Sequence, residues 1–163
     1  MEDEELEARV RGALDERGMA YRVLDCDPAY ADTAAFCEHC GVAPEHSANC
    51  IVVVGKGAER RYAVCLVLAV HRLDVNGMVR RRLGAKKASF ATPDETIEQT
   101  GGMQIGGVTP FGLPSGSPIW VDAQVMEPDE IIVGGGSRAC KIVVTPEVLA
   151  SMPGVEVVEG LAR

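Results

Sequence analysis

The apolar positions of this chain change period several times, and each change marks an element. Leu6, Val10 and Leu14 recur at i, i+4 and i+8 in an otherwise charged segment, which predicts an amphipathic helix over 3–17 stopped by Gly18. A short strand is expected at 21–24. Asp27-Pro28 then opens a loop, and Asp32 or Thr33 stands where a cap would start a second helix running through Cys40 to Gly41. Residues 50–54 and 62–70 are β-branched-rich runs separated by GKGAER, the pattern of a hairpin. Both runs are apolar nearly throughout, so both faces are expected to be covered.

A third helix is expected over 73–83, stopped by Gly84, and a short strand over 86–90. Thr92-Pro93-Asp94-Glu95 supplies a cap, a proline at the first helical position and a glutamate at the third, which together predict a helix start. Strands follow at 118–122 and 131–133. GGGSR at 134–138 is a turn, and 140–144 completes a second hairpin. Thr145-Pro146-Glu147 opens a short last helix, and 155–158 forms a terminal strand. Helices and strands are mixed, and the hairpins exclude a purely doubly wound sheet. With no linker, repeat or low-complexity segment, residues 1–163 read as one α/β domain of mixed α+β type.

One stretch fits neither period. Gly101 to Pro114, GGMQIGGVTPFGLP, carries five glycines and two prolines in fourteen residues, which excludes a helix interior or a central strand. It also carries Met103, Ile105, Val108, Phe111 and Leu113, so it is no solvated linker. Such a loop is held in a fixed shape, often so that a ligand can approach its backbone. Gly106 and Gly107 leave the amides of Val108 and Thr109 open to contact, and Pro110 stiffens the exit.

Composition narrows the function classes. Hydrophobic residues make up 47% and aromatics only 4%, so the core is mostly aliphatic. No apolar run is long enough for a membrane helix, and the acidic N-terminus MEDEELEARV does not read as a signal peptide, so a cytoplasmic protein is expected. The six cysteines are then expected to be reduced. A net charge of −8 argues against broad coating of nucleic acid. The charge is uneven, however: Arg72, Arg80, Arg81, Arg82, Lys86 and Lys87 stand within 72–87 against one acid, Asp74. That run is a solvated face or a local patch that meets phosphates.

Several stretches together carry a resemblance. LGAKKASFATPDE (83–95), TGGMQIGGVTPFGLP (100–114), the strand ending in Val121-Asp122 and VGGGSR (133–138), in this order after the paired strands at 50–70, resemble the YbaK/EbsC family. This is the aminoacyl-tRNA editing domain also found inserted in bacterial prolyl-tRNA synthetases. Gly106-Gly107-Val108-Thr109-Pro110 matches its G-x-x-x-P element. The resemblance implies a mixed β-barrel-type sheet surrounded by helices, and hydrolysis of mischarged aminoacyl-tRNA without a protein nucleophile. In that chemistry the loop backbone holds the aminoacyl ester, and the 2′-OH of the terminal adenosine helps position a water. The residues agree with this: no Ser/His/Asp or Cys/His set stands at readable spacing, whereas backbone N–H groups need only a rigid loop to polarise an ester carbonyl.

The resemblance assigns the ester site to Gly106, Gly107, Val108 and Thr109 with Asn49 at its entrance. Pro110, Phe111, Asp122, His71 and Gly135 are expected around the substrate, and Arg80, Arg81, Arg82, Lys86 and Lys87 along the tRNA. A pocket framed by Val108, Thr109 and Pro110 would favour a small side chain by excluding larger ones. The expected partner is the tRNA 3′ acceptor end, with an aminoacyl-tRNA synthetase as a candidate second one; no membrane, DNA, metal or organic cofactor is expected. One departure stands out. In CGVAPEHSANCI, Asn49 occupies the place where the family usually has a lysine. Asparagine donates a hydrogen bond but carries no charge, a loss on the order of 1 kcal/mol in binding. Lys56 falls at the far end of the strand and is no evident substitute.

Other constellations compete with this assignment. Cys37-x-x-Cys40, His46 and Cys50 lie close to a zinc-knuckle spacing. Cys37 and Cys40 fall on the apolar side of a helix, however, and Cys50 opens a core strand, so buried thiols are preferred. His71 at a strand end and Asp122 next to the loop each have a plain alternative, as a hydrogen-bonded surface residue and as a turn or cap residue. Two functions follow: a free-standing editing deacylase for tRNA carrying a small amino acid, or a binding protein on the same fold that recognises an aminoacyl- or nucleotide-like ligand. Asn49 is the feature that separates them.

Overall fold

Leu6, Val10 and Leu14 form the buried stripe of α1 (Asp3–Asp15), in a computed structural model that describes residues 2–163. The helix closes two residues before the expected end, because the amides of Arg17 and Met19 both turn back to Leu14 O. After β1 (Arg22–Asp25) comes α2 (Thr33–Cys40), which ends on Gly41 in the left-handed conformation. Asp32 sits at its start, but its carboxylate makes no capping bond and is instead paired with Arg138. The long runs form β2 (Ala48–Lys56) and β3 (Arg61–Leu68), paired antiparallel with Val54 opposite Tyr62.

The third helix differs from expectation. It begins only after Asp74, as a π-helical turn over Val75–Val79 continued by a single α-turn, α3 (Arg80–Arg82). Two local facts explain this. The Asp74 carboxylate accepts from the amides of Gly77 and Met78, and Leu73 is held in a bridge to Ala162. β4 (Lys87–Phe90) leads into α4 (Pro93–Thr100), which opens with the full capping box formed by Thr92 and Glu95. β5 (Ile119–Asp122), β6 (Ile131–Gly134), β7 (Cys140–Val144), α5 (Pro146–Ser151) and β8 (Val155–Val158) complete the chain.

The strands build two sheets in a mixed α+β fold. One has the order β4-β2-β3-β5-β8, antiparallel on one side of β3 and parallel on the other. The other is antiparallel, with the order β1-β7-β6. They meet where Ser47, just before β2, bridges Ile132 of β6. Val52, Val64 and Leu66 face the main core with Leu14, Phe111, Ile131 and Ile142, while Val53, Cys65 and Val67 face a second core with Val79, Trp120 and Leu161. Both faces of the hairpin are thus covered, which is why its two runs are apolar throughout. At about 1.5–3 kcal/mol per buried aliphatic side chain, this two-sided burial holds β2 rigidly at the seam where the sheets meet.

Candidate functional site

The glycine loop begins as the end of α4 and is pinned at once. Gly101 adopts φ 70° as the helix cap, the Gly102 amide returns to Ile97 O, and the Met103 amide donates to the buried Thr100 hydroxyl. Arg9 of α1 donates to Gly101 O and Thr100 O, both at 2.8 Å. A tight turn follows, in which the Gly107 amide donates to Gln104 O across Gly106 at φ 93°.

From there the loop lies backbone to backbone against the 134–136 turn. Gly136 N–H donates to Gly107 O at 2.9 Å. A Cβ added at Gly107 would stand 2.7 Å from the Ser137 carbonyl, and one at Gly134 would strike the Val108 carbonyl. Only glycine permits this approach. The contact fixes directions as well as distances, because the C=O and N–H of a trans peptide point oppositely and no cis bond is present among the described residues. With the carbonyls of Gly107 and Val108 turned toward the 134–136 turn, the amides of Val108 and Thr109 turn away from it. Neither amide has a hydrogen-bond acceptor among the described residues, and the buried Thr109 Oγ1 likewise has no partner there.

Beside this loop lies the open edge of β2. The Ala69 amide bonds to Ser47 O on one side and the Ala91 amide to Val52 O on the other. Even-numbered residues of β2 therefore turn their peptide groups away from β3. Pairing with β4 begins only at Val53, so the edge near Cys50 borders a cleft of about 170 Å³. Asn49, Gly106, Val108, Gly134, Asp32 and Lys141 are among its lining residues. The cleft is thus where the two sheets, the glycine loop and the start of α2 converge.

Two cations that the sequence reading did not single out organise it. Lys141 is buried, at 4% exposure, with its ammonium donating to Ala31 O and, at 2.9 Å, to Gly106 O. The same ammonium stands 5.3 Å from the centre of the Phe36 ring. Burial pushes its pKa below the usual lysine value, against a smaller opposing effect of Cys26. Arg138 donates to Pro28 O, Ile105 O and the Asp32 carboxylate. Together they clamp the 28–32 segment to the 105–106 turn. A trace of both was readable: Lys141 is the one charge in the apolar run CKIVV, and Arg138 closes GGGSR.

The sequence-predicted residues divide accordingly. Asn49, Gly106 and Val108 meet in the cleft, Gly107 supports it from behind, and Thr109 is fully buried beside it. Pro110 lines a different groove with Leu113 and Pro114, and Phe111 is wholly inside the main core. Gly135 packs on Cys140. The Asp122 carboxylate is buried and accepts from the Ala162 amide at 3.2 Å, tying down the C-terminal segment. His71 follows β3, two residues past Ala69, the partner of Ser47.

The basic run is some way off. Lys87 pairs with Lys56 at the opposite end of β2, about 23 Å from Asn49 at ~3.3 Å per residue. Arg81, Lys86 and Lys87 are exposed. Arg82 pairs with Glu156 at 2.6 Å and lies over Trp120, and Arg80 donates to Asn76 O.

The cysteines do not gather. Cys37 is buried and Cys40 exposed, and no three His, Cys, Asp or Glu side chains converge as metal ligands among the described residues. Cys50 borders the cleft, but burial, with Cys65 adding to it, holds its thiol well above the ordinary pKa. No histidine lines the cleft to activate it. No helix among the described residues is long and apolar enough to cross a membrane.

Comparison with known proteins places this arrangement. The uncharacterized protein YwhH of Bacillus subtilis (strain 168) is 28% identical over 128 residues, covering 78% of each chain. The crystal structure of a candidate trans-editing enzyme for prolyl tRNA synthetase is similar at 28% identity, with a TM-score of 0.79 over 94% of each chain. The hypothetical protein APE2540 shares the fold at 22% identity, with a TM-score of 0.81 over 95% of this chain and 99% of its own. A model of the aminoacyl-tRNA editing domain matches residues 27–152, which hold the glycine loop, the 134–136 turn and every residue named in the cleft. The chain belongs to the aminoacyl-tRNA editing domain family.

Proposed function

We propose that this chain is a free-standing editing deacylase that hydrolyses mischarged tRNA carrying a small amino acid. The observation that carries this reading is the pair of amides at Val108 and Thr109, without acceptors and turned away from the 134–136 turn beside a cleft that also holds Asn49. Oriented N–H groups in a rigid loop stabilise the oxyanion that forms when an ester carbonyl is attacked. A cleft of about 170 Å³ falls below the usual 300–1,000 Å³ of ligand pockets, which favours a small aminoacyl group.

In this mechanism a water adds to the ester carbonyl carbon, placed there by the 2′-OH of the terminal adenosine. The carbonyl electrons move onto oxygen beside the loop amides. The C–O bond to the 3′-oxygen then breaks, and the water's proton ends on that oxygen, leaving a free amino acid and uncharged tRNA. Cys50, held protonated, takes no part as nucleophile. The acceptor end would enter past Asn49, with Lys86 and Lys87 meeting phosphates further along. The likeness to a candidate trans-editing enzyme for prolyl tRNA synthetase favours tRNA charged by that enzyme class as the substrate pool.

Asn49 favours a second reading, a binding protein for an aminoacyl- or nucleotide-like ligand. A deacylation panel with tRNAs charged with Ala, Ser, Cys and Pro separates the two. The wild-type protein is expected to discharge one species. Gly106→Ala should abolish this, since its Cβ would meet Arg138 and Asp32 at a φ of 93°. Ligand binding without turnover of any species would favour the binder.

A further inference from the structure

We infer that Lys141 is the positioning residue of the cleft: its ammonium sets the Gly106 carbonyl and places a buried positive charge beside the bound ester. This inference rests on the deacylase reading above and adds to it a residue that the family likeness does not supply.

A buried ammonium is costly unless paired, and an apolar side chain of similar volume is often at least as stable in such a place. Lys141 has no carboxylate bonded to it; its partners are two neutral carbonyls and the face of Phe36. The nearest acid in the cleft, Asp32, is already paired with Arg138 at 3.0 Å. The clamp on Ala31 O and Gly106 O needs a donor, but two neutral carbonyls leave the full charge without a bonded counter-ion.

Geometry points the same way. An ammonium has three donors, and Ala31 O and Gly106 O take two of them. The side chain lines the cleft with Asn49 and Val108, so the third donor is left for what enters there. The Gly106 carbonyl it holds is one peptide ahead of the Gly107 carbonyl held by Gly136. Lys141 and Gly136 thereby set two consecutive peptides, and those peptides aim the Val108 amide. The groups facing the ammonium are Cys26 from the β1 exit, Asp32 and Arg138 from the clamp, Cys140 beside it on β7, and Cys50 across the cleft. Burial keeps the cleft-lining Cys50 thiol neutral. Asn49 is neutral, so the charge that position 49 lacks enters from the other sheet.

The test compares wild type, Lys141→Met, Lys141→Gln and the double variant Lys141→Met/Asn49→Lys. Deacylation is measured on the active species of the panel, and binding with a non-hydrolysable 3′-aminoacylamido-adenosine. The expected result is a kcat about 10- to 100-fold lower in both single variants with KM within about threefold. Melting temperature should fall in Lys141→Met, which leaves the Ala31 and Gly106 carbonyls unpaired, and fall less in Lys141→Gln, whose amide still donates. The second-site lysine should recover turnover without recovering stability. As the pH rises, the wild-type kcat should also fall at a pH under the ordinary lysine value of 10.5, where the ammonium loses its proton, a transition that Lys141→Met removes. Near-wild-type turnover in both single variants, or losses that follow unfolding without second-site recovery, would overturn the role of Lys141 and leave the deacylase reading intact. A wild-type protein that neither discharges nor binds any species would remove that reading, and the role with it.

Discussion

The N–H of Gly136 donates to the carbonyl of Gly107 at 2.9 Å, joining two glycine turns that lie twenty-nine residues apart in the chain. A methyl group at 107 would sit 2.7 Å from the Ser137 carbonyl, where backbone and no flexible side chain must give way. Gly107→Ala is therefore expected to cost roughly 1–3 kcal/mol of stability and to abolish deacylation even in the folded fraction. Gly57→Ala is the matched control: a Cβ there meets nothing within 4 Å, so its effect should stay within about 0.5 kcal/mol. Urea unfolding monitored by circular dichroism, read together with the deacylation assay, checks both.

Asn49 lines the same cleft as Gly106 and Val108 and carries no charge. Asn49→Ala should lower kcat/KM by about five- to tenfold, the worth of one neutral hydrogen bond of about 1 kcal/mol. Asn49→Asp should lower it further, because a carboxylate would face the anionic acceptor end. Equal activity in all three proteins would show that substrate does not pass this side chain.

Lys86 and Lys87 lie toward the far end of β2 from the cleft, and Lys87 faces Lys56 directly across two antiparallel strands. Like charges in that position repel, and a phosphate between them relieves the repulsion. Lys86→Glu/Lys87→Glu should raise KM for full-length charged tRNA and leave kcat unchanged. The slope of log KM against log salt should fall by about 0.7 to 0.9 for each phosphate that the variant no longer neutralises. A short aminoacylated adenosine that cannot reach the patch should be hydrolysed as by wild type.

Glu95 completes the cap of α4 and accepts from the Tyr62 hydroxyl, the Thr92 amide and Arg60. The Tyr62 bond, followed by the Thr92 amide, holds its pKa below the ordinary 4.5. A carboxylate whose folded pKa lies below its unfolded one stabilises the fold above the unfolded value, and that contribution disappears as the pH falls through the folded one. Glu95→Gln should thus lower the melting temperature at pH 7, and the gap to wild type should narrow as the pH falls below the ordinary 4.5. Thermal melts at both pH values test the sign.

Much of the fold was legible because glycine and proline mark nearly every boundary. The Thr92–Glu95 box, the Gly41 stop and both hairpins stand where the residues put them. What failed to show locally depends on distant partners. The third helix starts late because Leu73 pairs with Ala162, and Asp32 gives up its capping bond because Arg138 takes its carboxylate. The meeting of the two sheets depends on a bridge between Ser47 and Ile132, residues far apart in the chain. The glycine loop announced itself by composition. Lys141 did not, since a lysine in a strand ordinarily points to water, and the partners that hold it inward, Ala31 O, Gly106 O and the Phe36 ring, lie far off in the chain.

The first helix lies ahead of the region that the family model matches. Even so, Arg9 grips the start of the glycine loop, the Arg9 carbonyl lies against Gly112, and Leu6 and Val10 lie against Gly136. A fragment trimmed to the matched borders would keep every residue of the cleft and lose the wall behind both of its glycine turns. For this chain, a fragment that starts at residue 27 is therefore expected to melt at a lower temperature than one that keeps the acidic helix.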